Sequence, residues 1–222
     1  MSNISVTICG QGGCGKSSIT LRFVCNQWDQ GYDPTIEDRY TVVRTVDGVT
    51  YTLNLTDTAG QEEYRELWRL SRVQSDAFLL VYDITQPGSL EALELFNQTV
   101  EAQCQAAMDL GHVVPVCLVV GNKSDLESTR RVPIQDGFVW AHARGYGFVE
   151  ASARTNSNIE QIFTSLVRNL LTCLARRKIK DKALGLPNEG MPTRYLLANV
   201  WDPMGIPEEP EQQPFRFQHL PR

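Results

Sequence analysis

The chain has 222 residues and a formal net charge of −5 at pH 7. That length suits one domain with a full hydrophobic core, and the negative charge argues against a surface that binds nucleic acid through its phosphates. The sequence opens without a basic and apolar leader and contains no apolar run long enough to span a membrane, so we expect a cytoplasmic protein.

The six cysteines form no CxxC pair, and no histidine stands at zinc-ligand spacing from them. This pattern favours neither a metal centre nor a disulfide framework. It is typical of thiols that pack as small buried side chains in a reducing compartment.

Residues 10–17, GQGGCGKS, match the phosphate-loop pattern GxxxxGK[ST] at every fixed position. An alternating apolar pattern at residues 4–8 precedes the loop and a helical stretch follows it, which is the setting that this motif requires. Glycines let backbone N–H groups surround a phosphate, Lys16 adds positive charge, and the Ser17 hydroxyl suits Mg²⁺. We therefore predict a phosphate site made by Gly10, Gln11, Gly12, Gly13, Cys14, Gly15, Lys16, Ser17 and Ser18.

Strand-like and helix-like stretches then alternate, which predicts an α/β fold with a mostly parallel sheet. The turn Asp47-Gly48 between two β-rich stretches predicts an antiparallel hairpin at the sheet edge. Continuous apolar runs predict central parallel strands, since such strands are buried on both faces. Strands are expected at residues 40–46, 49–55, 77–82, 113–120 and 148–151, and helices at about residues 89–110, 134–144 and 159–177.

Two polar stretches follow predicted strands, where ligands bind in open parallel sheets. The Asp57 carboxylate can hold Mg²⁺ opposite Ser17, through a water. In the tetrapeptide from Asn122 to Asp125, the Asp125 carboxylate can accept from guanine N1–H and the 2-amino group, both of which adenine lacks. The Lys123 stem can lie against the base plane, and Asn122 can tie this loop to the phosphate loop. Alone, the tetrapeptide is equally compatible with a polar turn that caps a helix.

With these motifs in order, the sequence resembles the Ras family of small GTPases over about residues 4–175. Residues 32–38 (YDPTIED) resemble the effector loop, residues 57–64 (DTAGQEEY) the second switch, and residues 150–153 (EASA) the last guanine loop. The resemblance implies a P-loop NTPase G domain. Such a domain has a six-stranded, mostly parallel sheet with one antiparallel edge strand and about five flanking helices, and it binds GTP or GDP with Mg²⁺.

The resemblance also implies roles for single residues. Thr35 would ligate Mg²⁺ in the GTP state only, although it is also compatible with an ordinary threonine in an extended loop. Trp28 would pack at the guanine edge, where the family usually has phenylalanine. The implied catalytic residues are Gln61, which orients the attacking water, Lys16, Thr35 and Gly60. The implied metal ligands are Ser17, Thr35 and Asp57, and Ala59, Gly60, Ser152 and Ala153 complete the nucleotide contacts.

These features predict a monomeric small GTPase that hydrolyses GTP slowly and signals through switch loops around residues 32–38 and 59–72. The motifs contain no arginine, so a GTPase-activating protein is implied to supply one. A guanine-nucleotide exchange factor and an effector protein are the other implied partners. The alternative is a non-cycling scaffold or adaptor that holds a guanine nucleotide.

Several stretches depart from the Ras pattern, and the C-terminus departs most. The segment at residues 103–112 is longer than in typical members. We divide the chain into a G domain at residues 1–178 and a proline-containing arm at residues 179–222, either flexible or docking. No cysteine follows Cys173, so we expect no CaaX prenylation. The basic cluster at residues 176–182 leaves peripheral membrane contact open, without a lipidation motif to support it.

Overall fold

A six-stranded sheet lies at the centre of the molecule, which we describe from a computed structural model over residues 2–28, 37–58 and 75–183. The strands are β1 (Ser2–Cys9), β2 (Glu37–Val46), β3 (Val49–Thr58), β4 (Ala77–Asp83), β5 (Val116–Asn122) and β6 (Gly147–Glu150). Their order is β2-β3-β1-β4-β5-β6, with β2 antiparallel to β3 and the other pairs parallel. The predicted fold class is confirmed.

Local sequence accounts for the strands. Every residue of β4 and β5 is buried, as their continuous apolar runs predict for strands covered on both faces. Asp47 and Gly48 join β2 to β3 with φ angles of 50° and 77°, the two positive values that a tight hairpin turn of this kind requires. The edge hairpin is therefore where the sequence predicts it.

Five α-helices flank the sheet within the described ranges. They are α1 (Lys16–Cys25), α2 (Pro87–Glu91), α3 (Leu93–Asp109), α4 (Ile134–His142) and α5 (Ile159–Ala183), and a 3₁₀ helix covers Ser124–Thr129. Helices α1 and α5 pack on one face of the sheet, where the rings of Phe23 and Phe163 stack at 3.8 Å between centroids. Helices α3 and α4 pack on the other face. The fold is thus three-layered, with a core on each side of the sheet.

Some element boundaries differ from the prediction. The helix expected at residues 89–110 is two helices, because the chain tightens at Ala92, where the Leu95 N–H donates to the carbonyl three residues back at 3.2 Å. Strand β5 begins only after Pro115, which has no N–H to donate to a ladder. Helix α5 continues beyond residue 177 to Ala183. No described helix has the length and apolarity needed to cross a membrane.

Candidate nucleotide site

The phosphate loop connects β1 to α1 and lies close to two neighbouring strands. Gly10 has φ 146°, and a Cβ there would lie 2.1 Å from the Val81 carbonyl oxygen. Gly15 has φ 92°, and its Cβ would lie 2.2 Å from Asn122 Nδ2. Larger residues are excluded at both positions, because the backbone passes directly against β4 and the end of β5.

Lys16 is the first residue of α1, and its side chain is buried across the loop. Its ammonium group donates to the carbonyl oxygens of Gly10 at 3.0 Å and Gln11 at 3.2 Å. No side chain caps the start of the helix. A fixed positive charge therefore lies beside a helix N-terminus, an arrangement suited to an anion. Residues 11–13 form the exposed tip of the loop, and Ser17 and Ser18 lie in the first turn of α1.

Asp57 lies near the end of β3, beside Ile8 of β1, and is completely buried. Burial raises the pKa of its carboxyl group to about 6, while the Ser17 hydroxyl and the Lys16 charge act to lower it. Among the described residues, no hydrogen bond of regular geometry reaches either carboxylate oxygen. The Ser17 hydroxyl is nevertheless close enough to lower the pKa of the Asp57 carboxyl group. A buried carboxylate with oxygens to spare, facing a hydroxyl, fits a hard cation such as Mg²⁺.

Asn122 joins three loops at the end of β5. Its Nδ2 donates to the Cys14 carbonyl oxygen at 2.8 Å, and its Oδ1 accepts from the Ala153 N–H at 3.4 Å. The side chain is 2% exposed. Because both partners are backbone groups of other loops, this single amide holds the phosphate loop against the loop after β6.

The Asp125 carboxylate is oriented by the loop after β6. The Ser152 hydroxyl donates to its Oδ1 at 2.6 Å and itself accepts from the Thr155 N–H at 3.1 Å. The Arg154 guanidinium lies 3.9 Å from the other carboxylate oxygen of Asp125 and 5.5 Å from the centre of the Trp28 ring. Trp28, Asp125 and Ser152 are thus brought to one corner of the site, as expected of a base pocket.

The sequence analysis did not identify Arg154 or two further contacting residues, Arg22 and Asp83. Arg22 of α1 donates to the Ala153 carbonyl at 2.8 Å and to the Arg154 carbonyl at 3.1 Å. Asp83 ends β4 and forms an ion pair of 2.6 Å with Lys123. Of these three, only Asp83 had a signal, since it is a carboxylate at the carboxyl end of a mainly apolar strand of a parallel sheet. The arginines carry no motif of their own.

Several predicted residues lie outside the described part of the chain. They are Thr35, Ala59, Gly60 and Gln61, together with most of the two predicted switch loops at residues 32–38 and 59–72. The predicted arm at residues 179–222 also lies outside it from residue 184 onward. The roles assigned to these residues stay predictions.

Comparison with known proteins agrees with this geometry. The model of the Ras family matches residues 5–172. The chain is 37% identical to the Ras-like protein rasX of Dictyostelium discoideum over 177 residues, which covers 78% of this chain and 77% of the relative. It is 38% identical to the Ras-like protein rasW of the same organism over 200 residues, covering 89% and 86%. Together with the described loops, these matches show that the chain belongs to the Ras family of small GTPases.

Proposed function

We propose that this protein binds GTP and GDP with Mg²⁺, hydrolyses GTP slowly and acts as a molecular switch. The observation that supports this most strongly is the Asn122 junction, which ties Cys14 of the phosphate loop to Ala153. A guanine nucleotide needs a phosphate site and a base site at a fixed separation. One buried amide sets that separation between loops that are distant in sequence.

Base selectivity comes from Asp125. One of its oxygens is held by the Ser152 hydroxyl at 2.6 Å, which fixes the plane of the carboxylate. Guanine presents N1–H and a 2-amino group, two donors that a carboxylate accepts, whereas adenine offers an acceptor at N1 and no 2-amino group. An adenine base would give this carboxylate no donor and would place an acceptor beside it in a largely closed corner, so guanine is favoured.

The phosphates bind at the loop around Lys16. Its buried ammonium group, 3.0 Å from the Gly10 carbonyl, supplies positive charge, and the N–H groups at the start of α1 donate to phosphate oxygens. Ser17 and Asp57 would hold Mg²⁺, and Thr35 would be a third protein ligand in the GTP state. When bound, this ion neutralises negative charge on the β- and γ-phosphates.

Hydrolysis depends on positioning. Gln61 orients the attacking water, Gly60 donates its backbone N–H to the γ-phosphate, and Lys16 stabilises charge that develops on the phosphate oxygens. None of these residues is an arginine, so intrinsic cleavage is slow and a GTPase-activating protein accelerates it. Loss of the γ-phosphate removes the group that Thr35 and Gly60 contact, and an effector protein that needs both loops in place is then released.

Single-turnover cleavage of GTP tests the enzymatic part of this proposal. Purified full-length protein is loaded with GTP and phosphate release is followed, with Gln61→Leu and Gln135→Leu as variants. Gln135 is an exposed glutamine on α4. We expect slow cleavage by the wild type and by Gln135→Leu, and strongly reduced cleavage by Gln61→Leu. Absent cleavage in the wild type, or equal rates in all three proteins, contradicts the proposal.

Partner capture tests the switch. The protein is loaded with GDP or with a non-hydrolysable GTP analogue and used to recover binding proteins from cell extract. We expect at least one protein to be retained by the GTP-analogue form alone, because only that form presents the γ-phosphate to Thr35 and Gly60. If the GDP form and the GTP-analogue form recover the same proteins, the proposal that the protein is a switch is contradicted.

A further inference from the structure

Asp83 is a buried carboxylate held in one orientation at the end of β4. It lies beside Asn122 in the sheet register and is 2% exposed. Its Oδ1 accepts from the N–H of Thr85 at 2.8 Å and from the Thr85 hydroxyl at 2.7 Å. Its own N–H donates to the Ser89 hydroxyl at 2.9 Å. With one oxygen occupied and the backbone held, the other oxygen has a fixed direction.

That second oxygen faces Lys123. Asp83 Oδ2 and Lys123 Nζ are 2.6 Å apart, an ion pair whose hydrogen-bond geometry is not regular. The Lys123 backbone has φ 69°, in the left-handed region, while its side chain is 32% exposed. The lysine is therefore fixed at both ends, at its Cα by the loop and at its ammonium by Asp83, which leaves its four-carbon stem a narrow range of paths.

We propose that Asp83 is a positioning residue for the guanine base, acting through Lys123. By holding the ammonium group, Asp83 keeps the aliphatic stem of Lys123 against the base plane and slows release of the nucleotide. The inference rests on the proposed function, since it needs a guanine base beside the loop of residues 122–125. Asp83 itself touches Lys123, and its effect on the nucleotide is indirect.

The pair should persist because the buried Asp83 carboxylate has no other cation to pair with among the described residues around it. An unpaired carboxylate at 2% exposure would be strongly unfavourable, so Asp83 retains the ammonium group whether or not a nucleotide is present. The lysine stem is then ordered before the base arrives, and less side-chain entropy is lost on binding. Removing the negative charge should release the stem while leaving the guanine contacts of Asp125 in place.

Release of a fluorescent GDP analogue from the full-length protein, in Mg²⁺ buffer with excess unlabelled GDP, tests the proposal. Asp83→Asn keeps the size of the side chain and removes its charge, and we expect roughly tenfold faster release. The matched control is Asp76→Asn, directly before β4. Asp76 also accepts two hydrogen bonds, both from Ser5 at 2.7 Å, so the same change of charge is made at a hydrogen-bonded carboxylate at the opposite end of β4. Asp76→Asn should release the analogue at the wild-type rate.

A double-variant comparison separates positioning from general loosening of the fold. Lys123→Met keeps an apolar stem and removes the ammonium group, so Asp83 then has no lysine to hold. If Asp83 acts through Lys123, adding Asp83→Asn to Lys123→Met should leave the release rate within about twofold of the single Lys123→Met variant. An undiminished acceleration in the Lys123→Met background would overturn the proposal, as would a single Asp83→Asn rate within about twofold of wild type.

A milder variant covers the case in which Asp83→Asn does not fold. Thr85→Val removes the hydroxyl that holds Asp83 Oδ1 at 2.7 Å and preserves the side-chain shape. We expect a smaller acceleration, again absent with Lys123→Met, and an unchanged rate counts against the proposal. If the wild type retains no guanine nucleotide, the proposed function fails. If all three proteins, the wild type, Asp76→Asn and Asp83→Asn, release the analogue equally slowly, the proposed function stands and only this inference fails.

Discussion

The close approach of Gly15 to Asn122 leads to a quantitative prediction for Gly15→Ala. The φ angle of 92° costs alanine about 1–2 kcal/mol. In addition, the new Cβ would lie 2.2 Å from Asn122 Nδ2, which has to move. That atom ends a side chain, but the side chain is 2% exposed and donates to the Cys14 carbonyl at 2.8 Å. Breaking this buried hydrogen bond adds a further cost of about 1–3 kcal/mol.

Gly145→Ala is the matched control. Gly145 has φ 70°, and an added Cβ there meets no described heavy atom within 4 Å, so only the backbone cost applies. Unfolding in urea without added nucleotide measures the free energy of unfolding apart from ligand linkage. We expect Gly15→Ala to lose about 1–3 kcal/mol more than Gly145→Ala. In the GDP-release assay, Gly15→Ala should release at least about tenfold faster, since the Asn122 junction has moved.

Equal losses of stability in the two variants, within about 0.5 kcal/mol, would refute this reasoning. They would mean that Asn122 moves aside without losing a stabilising bond. A wild-type release rate in Gly15→Ala would also refute it, because the two loops would then be held together by contacts other than the Asn122 amide.

Three further outcomes are expected. Asp125→Asn places a donor where guanine presents its 2-amino group, so the ratio of the Kd values for xanthosine and guanosine diphosphates should fall by at least about tenfold, and an unchanged ratio would remove Asp125 from the base pocket. Arg22→Gln withdraws the donor that holds the loop after β6 at 2.8 Å, and GDP release should rise severalfold; wild-type release would make this contact incidental. Gly137→Ala brings a Cβ to 2.2 Å from the buried Tyr82 hydroxyl and should lower the free energy of unfolding in urea by about 1–3 kcal/mol. The control is Gly88→Ala, where the added Cβ meets no described atom within 4 Å, and it should be neutral or stabilising by up to about 1 kcal/mol.

Local patterns predicted most of the fold. The apolar runs of β4 and β5 and the Asp47-Gly48 turn each carry their own signal, and each is found in the structure. The ends of some helices and strands could not be predicted from the sequence. The break at Ala92 leaves the apolar periodicity intact, so it depends on packing and hydrogen bonding at that point. Helix α5 extends beyond its predicted end because the prediction followed the stripe of apolar residues, which ends before the helical backbone does.

The candidate site divides in the same way. The phosphate loop, Asp57 and the stretch from Asn122 to Asp125 were identifiable because their chemistry requires particular residue types at fixed spacing. The motif order was also sufficient to assign the Ras family. Arg22 carried no such signal, since its role depends on a carbonyl 131 positions away in the chain.

By itself, the sequence determined the family and predicted which residues would bind a guanine nucleotide, because motif spacing is a local property of the chain. Only the tertiary structure decided how the loops are held together. The Asn122 amide meets Cys14 108 positions away, and Asp83 meets Lys123 because β4 and β5 are neighbours in register. Such contacts depend on strand order and on the course of each loop, and a one-dimensional pattern contains neither.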